Sequence, residues 1–319
     1  MFKSKRTLLS AIVVGIATSV IAMPAFAAGK KLVMGFSQVG AESEWRAANT
    51  VSVKEAAKAA GIDLKFSDGQ QKQENQIKAI RGFIAQKVDV ITLAPVVMTG
   101  WTPVLKEAKA ANIPVILISR GVDSDESLWT SMIASDFVEE GRRAGKWLLA
   151  NYKTPGDVNI VELQGTVGAD TTIQRKAGFE EIIKADPRFK ITRSQTGDFT
   201  RAKGKEVMEA FLKADANINV LYAQNDDMAI GAIQSIEAAG KKPGKDIIVI
   251  GVDAVKGAFE AMMAGKMNVS VECSPLLGDQ LMNTAKDIVA GKQVPRNIVT
   301  KEGVFPMETA AKEFPSRKY

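Results

Sequence analysis

The chain has 319 residues, 46% hydrophobic and 24% charged, a composition that excludes a disordered chain and supplies apolar material for two cores. Its 42 basic and 36 acidic residues leave a net charge of +6, but no dense Lys/Arg tract with interleaved aromatics occurs, which argues against a nucleic-acid partner. With no histidine and one cysteine, Cys273, no intramolecular disulfide can form; zinc sites and Ser-His or Cys-His catalysis lose their usual groups, no cofactor is expected, and only carboxylate or lysine chemistry stays open.

In chain order the first feature is a leader. Lys3, Lys5 and Arg6 precede an apolar stretch from about Leu8 to Met23, and Pro24, Ala25, Phe26 and Ala27 follow. This reads as a secretory signal peptide cleaved after about Ala27, rather than as a membrane anchor, because the apolar run is short and ends in small residues. It carries three of the six net positive charges. No second long apolar run follows, and no cysteine stands at the cleavage point to carry a lipid. The expected product diffuses freely in an exported compartment, most simply a bacterial periplasm.

Beyond the leader, short β-branched runs alternate with amphipathic segments. The runs begin at Lys31, Ile62, Val88, Ile113, Val158, Phe189, Ile218 and Ile247; between them lie helical patterns such as "EWRAANTVSVKEAAKAAG", "ENQIKAIRGFIAQK", "FVEEGRRAGKWLLANY", "IQRKAGFEEIIKA" and "DMAIGAIQSIEAAG". Continuous apolar runs are strands covered on both faces, and the 3.6-residue period between them marks crossover helices, so the predicted class is α/β with parallel sheets. The alternation runs through two comparable stretches, giving two doubly wound domains joined by a short hinge. The strand-like "MNVSVECSP" and "RNIVTKEGV" flank a helix near 276 to 290 and are expected to cross back. The predicted domains are therefore residues 28–134 plus 273–297, and 135–272 plus 298–319.

Ligands of open parallel sheets bind beyond the carboxyl ends of the strands. Those ends read Ser37-Gln38, Asp68-Gly69, Ala94-Pro95, Ser119-Arg120, Gln164-Gly165, Gln195-Thr196-Gly197, Asn225-Asp226 and Asp253, nearly all polar or small. Some suit purely structural work: Asp68-Gly69 and Gly165 as turns, Asp226, Asp227 or Asp253 at helix starts, Arg120 and Arg175 on solvated faces, and Trp45 in a core. The glycines of "GTVGAD" lack both the Walker lysine and the G-x-G-x-x-G spacing, so they are weak grounds for a phosphate cradle.

Several stretches together carry a resemblance. "MGFSQVGAESEWRAA", "DGQQKQENQIKA", "APVVMTGWTPVLKEAK", "VELQGTVGA", "GDFTRAKGKEVMEAF", "NDDMAIGAIQ" and "KPGKDI" resemble the type I periplasmic sugar-binding proteins of ABC transporters, which include ribose-binding protein, and within them the galactofuranose-binding branch. The resemblance covers nearly all of the chain after the leader. It implies that Glu42, Ser43, Glu44, Trp45, Arg46, Ser119 and Arg120 meet a sugar from the first domain, and Arg175, Asn225, Asp253 and, on a crossover strand, Glu272 from the second; Phe199 is a further candidate for an apolar wall. Relatives commonly carry Asp-Arg where this chain has Ser119-Arg120. That replaces a charge-assisted acceptor of two hydroxyls by one neutral hydroxyl, and leaves the sugar open among galactofuranose, another furanose, a pentose or a sugar acid.

These residue types suit a carbohydrate, which presents an apolar C–H face and a ring of hydroxyls to an aromatic surface and to planar, bidentate polar groups. The implied partner is an ABC transporter permease, the implied mechanism hinge closure by a monomer, and a chemoreceptor is a possible second partner. An exported carboxylate-dependent sugar-modifying enzyme is the rival reading. Transcriptional repressors of the same fold need a helix-turn-helix before the first strand, where this chain has its leader.

Overall fold

The computed structural model describes residues 31–319, so the predicted leader and its cleavage after about Ala27 lie outside the described residues. The first half alternates β1 (Val33–Gln38), α1 (Glu44–Ala59), β2 (Asp63–Asp68), α2 (Gln73–Ala85), β3 (Val90–Leu93), α3 (Thr102–Ala110), β4 (Val115–Ile118) and β5 (Ser131–Ala134). The second runs α4 (Phe137–Asn151), β6 (Val158–Gln164), α5 (Asp170–Ile183), β7 (Phe189–Thr196), α6 (Arg201–Ala214), β8 (Val220–Ala223), α7 (Asp226–Ala238), β9 (Ile248–Asp253), α8 (Lys256–Met263) and β10 (Val269–Glu272). The chain then returns through α9 (Gly278–Val289) and β11 (Asn297–Val299), and ends with β12 (Val304–Pro306) and α10 (Ala310–Glu313).

These strands form two six-stranded sheets, β2-β1-β3-β4-β5-β11 and β7-β6-β8-β9-β10-β12. The first five strands of each follow one order, the doubly wound pattern in which the sheet reverses direction of growth beside its first strand. The sixth strands differ: β11 runs parallel to β5, whereas β12 runs antiparallel to β10. Strands β3, β4 and β8 are buried along their whole length, as the unbroken apolar runs require, while edge strand β7 is mostly exposed or half-buried. The α/β class with parallel sheets predicted from the alternation is the observed one.

Strand β5 has no counterpart among the predicted runs. Its sequence "SMIA" is short and opens on a polar residue, and pairing with β4 and β11 on either side makes it a strand. The return of the chain also lies later than the expected boundary after residue 297, because β11 keeps its register with β5 through Val299 opposite Ala134.

Three segments connect the sheets: residues 135–136, 273–277 and 300–303. Helix α4 packs on α5 and α9 packs on α1, so each crossover helix belongs to the half it enters. Each sheet has its own apolar core, one around Phe36, Ile80, Trp101 and Ile116, the other around Phe179, Tyr222, Val249 and Phe259. Trp45 is the exception: it starts α1 in the first half, yet its ring packs into the second half's core.

Candidate functional site

A cavity with about 330 Å3 of empty space lies where loops from the two halves meet, lined by Glu42, Ser43, Trp45, Arg46, Ser119, Arg120, Phe137, Thr171, Arg175, Phe199, Asn225, Asp253 and Cys273. Most of these residues follow the carboxyl ends of β1, β4, β8, β9 and β10 or begin a helix, where the strand order places a ligand crevice.

The β1–α1 loop supplies the first wall. Ser43 caps α1 by accepting the Arg46 amide at 3.1 Å, which turns Glu42 inward before the helix begins. The Arg46 guanidinium donates to Glu42 Oε1 at 3.1 Å, to Gln38 Oε1 at 3.2 Å and to Ser119 Oγ at 2.9 Å, and lies 4.7 Å from the centre of the Trp45 ring. The Trp45 indole donates to the Cys273 carbonyl at 2.7 Å, spanning a crossover. Glu42 Oε2 is buried and meets no hydrogen-bond partner among the described residues. An acceptor in that state costs about 1–3 kcal/mol.

Arg120 reaches toward the second half: one arm donates to the Val96 carbonyl at 2.9 Å, and the guanidinium carbon is 5.1 Å from the centre of the Phe199 ring. Burial, reinforced by Arg46, draws its pKa down to about 10, so it remains a cation at neutral pH. Among the described residues Arg120 makes no ion pair within 4 Å, and part of its donor fork is left for a ligand.

On the opposite wall, Arg175 is held at three points: Nε donates to Glu140 at 2.7 Å, Nη1 to the Gln224 carbonyl at 2.5 Å and Nη2 to Asp253 at 3.3 Å. Burial works against its charge, but Glu140 and Asp253 outweigh it and hold the guanidinium firmly protonated. Burial pushes the Asp253 carboxyl well above the usual carboxylate range, with Arg175 opposing and Asp226 adding to the rise. Asn225 is the cap of α7, its Oδ1 accepting the Met228 amide and its amide donating to the Phe199 carbonyl, so it stands at the cavity in a fixed rotamer. Ser119, Phe199 and Asp253 all adopt positive φ, at 59°, 58° and 122°. Three non-glycine residues in that region around one cavity mark backbone strain held by the surrounding structure.

Nine of the eleven residues singled out from the sequence meet at this cavity, as does Phe199. Glu44 and Glu272 do not. Glu44 lies in the first turn of α1 outside the cavity, where its amide donates to Asp227 at 2.8 Å and its carboxylate sits 3.4 Å from Arg201. Glu272 is turned away because neighbours on a strand point to opposite faces: its carboxylate takes Arg317 at 2.9 Å and the Gly303 amide at 3.0 Å, and Cys273 faces the cavity instead. Asp226 and Asp227 do not cap α7; Asp226 accepts from Ser270 Oγ and the Val255 amide. Sequence reasoning missed Phe137, Thr171 and Cys273 as lining residues. Phe137 follows a crossover and Thr171 follows the glycine-rich "GTVGAD", so position relative to the hinge and to that loop was the available signal.

Among the described residues, hydrogen bonds also join the halves directly: Glu44 to Asp227 and to Arg201, the Gly121 amide to Asp170 at 2.6 Å, and the Met98 amide to the Gly168 carbonyl at 2.9 Å. A polar cavity with aromatic walls, closed between two doubly wound halves, defines a ligand-capturing protein of the two-lobed kind. The chain belongs to the family described as periplasmic binding protein domain, which it matches over residues 34–293. It is 50% identical over 302 residues to the galactofuranose-binding protein YtfQ of Escherichia coli (strain K12), covering 93% of this chain and 95% of that protein. Among solved structures, a Mycobacterium smegmatis protein in complex with β-D-fucofuranose superposes with a TM-score of 0.89 at 54% identity, covering 90% of this chain and 95% of that one. The periplasmic binding component of the arabinose ABC transporter from Shewanella sp. ANA-3, bound to α- and β-L-arabinofuranose, superposes with a TM-score of 0.86 at 53% identity over the same shares.

Proposed function

We propose that this protein is a periplasmic solute-binding protein that captures one monosaccharide in a five-membered ring form, galactofuranose or a related furanose or pentose, and delivers it to an ABC transporter permease in the inner membrane. The observation that carries this reading is the cavity between the two halves in which three guanidinium groups and the carboxylates of Glu42 and Asp253 come together with Trp45, Phe137 and Phe199 on the walls. The carboxylates and the arginines match a ring of hydroxyls, and the aromatic faces match C–H surface. The relatives named above bind galactofuranose, fucofuranose and arabinofuranose, which supports a furanose ring.

Glu42, Ser43, Trp45, Arg46, Ser119 and Arg120 act from one domain, residues 28–134 plus the return through 273–299, and Arg175, Asn225 and Asp253 from the other. The sugar contacts both walls and thereby favours the closed form over the open one, the crossovers serving as hinge. The protein works as a monomer after cleavage near Ala27 and carries out no chemical step. Glu42 and Asp253 are each within hydrogen-bonding reach of a guanidinium, at 3.1 and 3.3 Å, an arrangement suited to holding hydroxyls. Calorimetric titration with galactose, arabinose, fructose, ribose and galacturonate, combined with analysis of the recovered sugar, tests the reading. Heat with a sugar that populates furanose forms, and unaltered sugar afterwards, is the expected result; no heat with any sugar, or a changed product, refutes it.

A further inference from the structure

We propose that Glu140, which does not line the cavity, is the residue that positions Arg175 and supplies the negative charge by which the site prefers neutral sugars to sugar acids; the inference rests on the cavity being a sugar site. Glu140 is fully buried in the first turn of α4, and its Oε2 accepts from Arg175 Nε at 2.7 Å. It gets there because α4 and α5 touch backbone to backbone. A Cβ on Gly141 would stand 2.1 Å from the Arg175 carbonyl, and one on Gly178 would stand 2.0 Å from the Val138 carbonyl. Only glycine permits that approach, and it sets the Glu140 carboxylate behind the guanidinium.

The charge count of the walls gives Glu140 its meaning. Three arginines line the cavity against two carboxylates, Glu42 and Asp253. A cavity with that surplus would draw in an anion. Of the other buried carboxylates nearby, Asp170 spends its oxygens on the Gly121 and Thr171 amides and Asp226 on Ser270 Oγ and the Val255 amide, and neither makes an ion pair within 4 Å among the described residues. Glu140 is thus the third counter-charge, and it faces the arginine from the side opposite the ligand. Its placement is not the one folding alone would favour: among the described residues Glu140 Oε1 is buried without a hydrogen-bond partner, and a carboxylate oxygen of Glu140, the Cys273 sulfur and a carboxylate oxygen of Glu302 lie within 4.8 Å of one another. A buried carboxylate with one orphaned oxygen beside a second carboxylate is a cost that a neutral, isosteric side chain would lessen. Its presence there is accounted for by what it does to Arg175.

The test compares the parent protein with Glu140→Gln and Glu140→Asp by calorimetric titration, with L-arabinose as neutral probe and D-galacturonate as anionic probe. For Glu140→Gln, which keeps shape and loses charge, neutral affinity falls on the order of tenfold and the neutral-to-anionic affinity ratio narrows by at least tenfold. For Glu140→Asp, which keeps charge and shortens the reach, neutral affinity falls while the ratio stays near the parent's. A purely structural role would lower both affinities together and leave the ratio unmoved in both variants, and that result overturns the proposal, as does parental affinity in Glu140→Gln. If Glu140→Gln does not fold, Glu140→Ala, which also removes the charge, takes its place under the same criterion: a narrowed neutral-to-anionic ratio upholds the proposal, and an unmoved ratio, or parental neutral affinity in Glu140→Asp, overturns it. A parent that binds neither probe nor any other sugar refutes the reading of the cavity itself, and the inference falls with it.

Discussion

Glu302 offers the sharpest test of how the halves are joined. One of its carboxylate oxygens accepts from Ser135 Oγ at 2.6 Å, from the Ser274 amide at 2.9 Å and from Thr300 Oγ1 at 2.7 Å, so a single group ties together all three segments that connect the sheets. Burial, followed by repulsion from Glu140, raises its pKa to about 7, although those three donors pull the other way. Cys273 and Arg143 complete its surroundings, the latter donating to the Glu302 carbonyl. A carboxyl whose pKa is raised on folding stabilises most when protonated. Its contribution is fully present below the unfolded value of about 4.3 and is lost as the pH rises through the folded value. With a folded value of about 7, the loss amounts to about 3–4 kcal/mol between roughly pH 4 and pH 7.5.

The substitution Glu302→Gln removes the titration and keeps an oxygen that can accept the same three bonds. Urea unfolding of parent and variant at half-unit steps from pH 4.5 to 8.5 should therefore give curves that nearly meet at the acid end. They should diverge by about 3 kcal/mol in the variant's favour above pH 7.5. Asp170, Asp226, Asp253 and Glu44 are also pushed upward by burial and give the parent a slope of the same sign, which the difference between the two proteins cancels. A gap independent of pH, or one that widens toward acid, refutes the assignment of this proton to Glu302.

The other consequences can be checked with the same two measurements, unfolding and titration calorimetry. Arg175→Ala should abolish measurable sugar binding and also cost about 3–5 kcal/mol of stability, because Glu140 and Asp253 lose a buried counter-charge. Arg120→Met should weaken binding by tenfold or more yet leave stability unchanged or improved, since this buried cation has no ion pair to lose; a stability loss matching that of Arg175→Ala would contradict this. Asp227→Asn should weaken binding by about twofold to fivefold, as it cuts the ion pair to half-exposed Arg201 and weakens the Glu44 amide contact that joins the halves, and parental affinity in low salt would show that these contacts do not favour closure. Ser119→Ala should cost about threefold to tenfold in affinity through a less restrained Arg46, and an unaffected titration would mean that Glu42 and Gln38 suffice to hold it.

The fold was largely legible in the sequence, because strands such as β3, β4 and β8 are apolar from end to end and the helices between them keep their period. Strand β5 was not, since its pairing lies entirely in tertiary partners. The site was legible at strand ends, where a polar residue after an apolar run has few structural reasons to be there. It was not legible where neighbouring residues of the same type do different work. Glu42 and Glu44 are two positions apart, and the start of α1 at Glu44 sends one into the cavity and the other to Arg201. Glu272 and Cys273 are adjacent, and the alternation of a strand decides between them.

Glu139 and Glu140 make the point most sharply. In "FVEEGRR" both read as the acidic first turn of a helix, and Glu139 is that: half-buried, it meets Arg142, Arg143 and Lys146 at 3.3–3.8 Å along its own helix. Glu140, one residue on, is fully buried and bonded to an arginine of the next helix. What separates them is Gly141, whose missing side chain lets α5 press onto that face of α4. A carboxylate beside a glycine in a helix is unremarkable in a linear sequence; it becomes a functional candidate only when the glycine is seen to be the contact that brings a cation within 2.7 Å.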